Sequence, residues 1–166
     1  MATRGYIGKP NADGTITAIY THWDSYPTNN GKLILEHYNS EAACDEFIKN
    51  GSLSSMHERM APNPGEEHSF DKPVEDINVF YHRDRGEDWD FCKPVTFKSE
   101  AEMIECEEFA YLWKDGKWWV GTNHKSEKNP EAWPTGKFIP LTAEIIEAFQ
   151  AEVDKRWDDL VYRCGR

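Results

Sequence analysis

Cysteine is scarce in this chain and never closely spaced. Cys44, Cys92, Cys106 and Cys164 stand far apart, and without a Cys-x-x-Cys pair a zinc ribbon or thioredoxin-like motif is disfavoured. Long apolar runs are missing too, since none approaches the roughly 20 residues of a membrane span. No signal peptide is expected, because Met1-Ala2-Thr3-Arg4-Gly5 leads directly into a strand pattern. A soluble cytoplasmic protein with reduced thiols is the expectation. Basic residues are outnumbered, 19 against 30, for a formal charge of −11. Such a chain repels nucleic acid and anionic membranes at long range, and the same field attracts basic proteins. The P-loop, the dinucleotide fingerprint, the EF-hand loop and the Gly-x-Ser-x-Gly elbow are all absent. No reaction is therefore legible from a signature, and no catalytic residue is assigned.

Aromatic residues are plentiful. They make up 13% of the chain, with seven tryptophans, which argues for a folded domain and against disorder. The 166 residues suit one domain with one core, spanning 1–166. Arg4 to Gly8 and Thr15 to His22 read as a hairpin around Asp13-Gly14. Lys32 to Tyr38 reads as a short helix. Ser40 caps a second helix, Glu41 to Lys49, which Asn50-Gly51 closes. Residues 52–73 read as a long functional or flexible loop. Val74 to Tyr81 is the next expected strand, and Pro94 to Phe97 a short one. Ser99-Glu100-Ala101-Glu102 matches a capping box. Residues 109–121 form a hairpin around Asp115-Gly116, a type I′ signal. Thr142 caps a final helix with Ile145, Ile146, Phe149, Val153, Trp157 and Leu160 down one side, a packing stripe. The expected fold is α+β. An antiparallel sheet of about five or six strands carries the long C-terminal helix and the 32–49 helices on one face.

Two strands run into side chains that can stack or hydrogen-bond. The first ends in Tyr20-Thr21-His22-Trp23-Asp24-Ser25-Tyr26, the second in Tyr81-His82-Arg83-Asp84-Arg85. Sites are commonly built on such strand ends. The long loop delivers His68 and Asp71 beside them, so one cleft is expected at one end of the sheet. Spacing of two on a strand puts side chains on one face. His22, Asp24, His82 and Asp84 are thus candidates for a divalent metal, the one cofactor to be considered. The ordinary alternative is that each Asp orients its own His. Arg83 and Arg85 are candidates for a bidentate anion clamp, against internal pairing with Asp84, Glu87, Asp88 or Asp90. Tyr20, Trp23, Tyr26, Tyr81 and Trp89 can stack on a base, or cover the sheet end.

His22-Trp23-Asp24-Ser25-Tyr26-Pro27, Leu35-Glu36-His37-Tyr38-Asn39, His68-Ser69-Phe70-Asp71 and Phe80-Tyr81-His82-Arg83-Asp84-Arg85-Gly86-Glu87 together resemble a family of small proteins from tailed bacteriophages and prophages. The similarity covers about residues 3–125. It implies an intracellular phage accessory protein acting against a host system, and it brings no established reaction. Three functions follow as expectations. One is a non-enzymatic protein that sequesters a small anionic, nucleotide-like ligand through Tyr20, His22, Trp23, Asp24, Tyr26, His68, Tyr81, His82, Arg83 and Arg85. Another is an acidic interaction protein that inhibits a host enzyme, as a DNA mimic through the run from Glu100 to Glu108. The last is a metal-dependent phosphoesterase built on the His–Asp pairs.

Overall fold

The computed structural model describes residues 2–152. Among them, eight strands join one sheet in the order β4-β3-β2-β1-β6-β7-β8, with β5 also on β2. In chain order these are β1 (Gly5–Pro10), β2 (Ile16–Thr21), β3 (Leu53–Ser55), β4 (Val79–Phe80), β5 (Val95–Phe97), β6 (Phe109–Lys114), β7 (Lys117–Thr122) and β8 (Ile139–Pro140). The helices are α1 (Lys32–His37), entered through a π-helical turn at Pro27–Gly31, then α2 (Glu41–Asn50), α3 (Trp89–Cys92) and α4 (Glu100–Cys106). A fifth, α5, runs over 143–152. The expected stripe positions Val153, Trp157 and Leu160 lie outside the described residues.

The α+β class stands, but the sheet is mixed rather than antiparallel. β1 pairs in parallel with β6, and β2 in parallel with β3. Helical crossovers are the reason, because a chain that crosses one face of a sheet through a helix returns in the same direction. α1 and α2 carry the chain from β2 to β3, and α4 carries it from β5 to β6. The two extra strands are short ones, β3 inside the 52–73 segment and β8 near 140, and β4 keeps only two residues of the strand expected over 74–81.

Side-chain alternation assigns the two crossovers to opposite faces. Ile7 stands opposite Ile19 and Tyr111, and Tyr111 opposite Val120. These four share one buried cluster with Ile34 of α1, Tyr38 just after it, Phe47 of α2 and Phe149 of α5. The alternate positions Ala18, Ala110 and Leu112 pack with Phe97, Met103 and Ile104 under α4. Local sequence sets the ends of these pieces. Ser40 Oγ accepts from Ala43 N at 3.1 Å, and Ser99 Oγ from Glu102 N at 3.2 Å. The β6–β7 turn has Asp115 at φ 53° and Gly116 at φ 75°, the double left-handed backbone of a type I′ hairpin.

Candidate functional site

The outer edge of β2 is divided. Residues 16–18 pair with β5, and Thr21 pairs with Leu53 of β3. Near this division lies a hollow of about 300 Å3 lined by Tyr20, Ser52, Tyr81, Glu87, Phe91 and Cys92. Backbone bonds knit its walls. Ser52 N donates to Cys92 O at 2.7 Å, and Tyr81 N donates to Ser52 O at 3.1 Å. Gly51, at φ 75°, allows this approach. A Cβ there would stand 2.3 Å from Cys92 O and 3.0 Å from a Trp89 ring carbon.

Segments 20–23, 70 and 81–89 meet here. The His22 ring lies 4.6 Å from Trp23 and 6.5 Å from Tyr81, and the Tyr20 hydroxyl is 2.7 Å from His22 Nδ1. The Arg85 guanidinium lies 4.2 Å from the Phe70 centroid and 5.0 Å from that of Tyr81. The His82 ring meets Trp89 edge-on at 5.2 Å, and its Nδ1 bonds Glu87 O. Partial burial holds the His22 imidazole below its usual value, and the Arg4 and Arg85 charges push the same way. Burial likewise raises the Tyr20 phenol. Burial, then Glu87 and Asp88, raise the Cys92 thiol against the opposing Arg85.

Other expected site residues are used elsewhere. β2 ends at Thr21, and Asp24 sits at φ 55° in a left-handed turn. β4 ends at Phe80, and 81–85 is a turn closed by Asp84 N to Phe80 O. The spacing-of-two argument needs extended backbone, so it fails for both His–Asp pairs and for the two arginines. Asp84 is buried and accepts from Phe80 N at 2.7 Å and from Arg83 Nε and Nη2 at 2.9 Å each. Arg83 also donates to Met60 O and Asn78 O. It is a strut, not a clamp. The His68 side chain is fully buried. Val74 N donates to its Nδ1, so its proton is on Nε2, which donates to Asn78 O at 3.0 Å. Tyr26 lines a different hollow, with Phe109, His124 and Trp133. His22, Asp24, His82 and Asp84 thus have separate partners. Among the described residues no group of three or more His, Cys, Asp or Glu is placed to hold a metal.

The chain is similar to the septation ring formation regulator EzrA of Staphylococcus aureus, in strains JH9 and Newman alike. It is 24% identical over 151 residues, which is 76% of this chain and 27% of that protein. The chain spans about a quarter of the length of these curated relatives, and identity at this level assigns no family. No family model matches the chain, and no solved structure does.

What the sequence left unmarked is Phe91, exposed to 88%, together with Phe70 at 47%. With Trp23 at 43% and Trp89 at 37%, they are four of the five exposed large hydrophobic residues among those described. The fifth, Val95, is on β5, which shares the divided edge of β2. α3 is a single turn capped by Asp88, too short for an apolar period to betray which side it exposes. Among the described residues no helix is long and apolar enough to cross a membrane.

Proposed function

We propose that this chain is an acidic accessory protein of the phage type that binds a host protein through the aromatic surface around Phe91. The single observation that carries this reading is that exposed Phe91 lines the hollow while exposed Trp23, Phe70 and Trp89 stand one contact away from its lining, through His22, Arg85 and Gly51. Exposed apolar groups collected in this way, with a polar rim, are the usual mark of a protein interface. Aromatic side chains are its usual anchors. The rim here is acidic, with Glu87, Asp88 and Asp90 in sequence beside Phe91. The DNA-mimic version has less support. Glu100 pairs with Lys114, Glu102 accepts from Lys98 N and Glu108 accepts from Arg4 N.

Affinity capture from host cells tests the reading. The wild-type chain should retain a discrete protein that a Trp23→Ser/Phe91→Ser variant of unchanged melting temperature does not. Rising salt should weaken retention in part, because rim charges are screened while buried rings are not. Equal capture by both chains counts against the surface.

A second reading rests on Arg85, whose guanidinium lies over the Phe70 and Tyr81 rings and whose charge acts on His22. Rings beside a guanidinium suit a small nucleotide-like anion. A melting series with nucleotides and cyclic nucleotides separates the two, since this reading requires stabilisation by at least one of them.

A further inference from the structure

Taking the aromatic surface as an interface, we infer that its hollow receives the guanidinium of an arginine side chain from the partner. The lining points to that group. A hollow of about 300 Å3 has the aromatic residues Tyr20, Tyr81 and Phe91 in its lining, and a planar guanidinium stacks on such rings better than an ammonium does. The Tyr81 ring already takes one guanidinium, that of Arg85, at 5.0 Å.

Charge selects a cation. Glu87 is in the lining, is about half exposed, and has Arg85 at a loose 3.5 Å. Its carboxylate is thus available for the paired N–H donors that a guanidinium presents. Asp88 spends one oxygen on Asp90 N as the cap of α3 and keeps the other. The fields of both carboxylates reach the hollow, since both act on the Cys92 thiol that lines it. Arg85 opposes them there, so the local negative excess is modest and the rings must supply part of the attraction. An arginine satisfies both demands. A lysine lacks the plane, and a leucine offers Glu87 no donor beyond the loosely held Arg85. The chain's overall charge of −11 draws a basic surface toward this one before contact.

The test uses the 15N-labelled full chain and three small probes. These are N-acetyl-arginine methylamide, its citrulline counterpart of equal length without charge, and its norleucine counterpart. The arginine probe should shift the amides of Ser52, Tyr81, Glu87 and Phe91 saturably, and bind roughly tenfold more tightly than citrulline. Glu87→Gln should remove most of that preference and leave citrulline binding unchanged. Phe91→Ser should weaken all three probes. Equal binding of citrulline, shifts centred elsewhere, or no shift up to the solubility limit overturns the inference. If a captured partner depends on Phe91 while the arginine probe gives no shift, the inference falls and the interface reading stands. If the probe binds as expected and no partner depends on Phe91, the interface reading alone falls.

Discussion

Replacing Asp84 by alanine should unfold this protein far more readily than any change to Arg85. The Asp84 side chain is 3% exposed and accepts three N–H groups, from Phe80 N and from Arg83 Nε and Nη2. Alanine leaves the Phe80 amide without its 2.7 Å acceptor and strips Arg83 of its counter-charge. Breaking a buried ion pair from one side costs roughly 3–5 kcal/mol. The Arg83 side chain is about a quarter exposed, so water relieves part of this and the lower end, about 3 kcal/mol, is expected. In a domain of this size that corresponds to a fall in melting temperature of roughly 6–12 °C. Urea denaturation at neutral pH measures the difference directly, with Arg85→Ala as the control. Arg85 meets Glu87 at 3.5 Å on the surface, and such pairs are worth about 0–1 kcal/mol. A loss below about 1 kcal/mol for Asp84→Ala would show that the Asp84–Arg83 strut does not hold the 81–85 turn.

Gly51→Ala combines a left-handed backbone with a Cβ 2.3 Å from Cys92 O. It should cost about 2–4 kcal/mol in urea and shift the amide signals of 89–92. Tyr111→Phe removes the bond from the buried phenol to Ser25 O and should cost about 1–2 kcal/mol by the same assay. Arg59 bonds Glu66 through two N–H groups and holds its carboxyl down to about 2, against an ordinary 4.5. The folded value is depressed, so this contribution is complete above pH 4.5 and fades as pH falls toward 2. Glu66→Gln should flatten the acid limb of the stability curve in that window and leave neutral pH less affected. By NMR the His22 ring should titrate below its ordinary 6.5. Arg85→Ala should move that midpoint upward, and an unmoved midpoint would place the guanidinium's field elsewhere.

Local chemistry was legible in the sequence and long-range pairing was not. Ser40, Ser99, Asn50-Gly51 and Asp115-Gly116 announce caps and turns because each acts within a few residues of itself. The parallel β1–β6 pair joins Gly5 to Phe109, and no residue near either one encodes the other. The candidate site divides in the same way. The strand ends at 20–23 and 81–85 do meet, as their shared composition suggested. The assignment of side chains to faces failed because Asp24 and 81–85 leave the extended backbone on which alternation depends. His68 and Arg83 read as ligand-binding groups from their chemistry. Their burial against Asn78 O depends on how the 52–78 segment folds back, which no local pattern reveals. Phe91 is the reverse case, an apolar residue that no pattern marked as exposed because the one-turn α3 is too short to show a period.

Photo-crosslinking inside host cells tests the central claim most directly. A benzophenone side chain replaces Phe91 in one chain and exposed Lys117 of the β6–β7 hairpin in another. A discrete protein adduct should form from position 91 and be absent from position 117. No adduct at position 91 above that at position 117 would contradict the assignment of the aromatic surface as the place where this protein meets its partner.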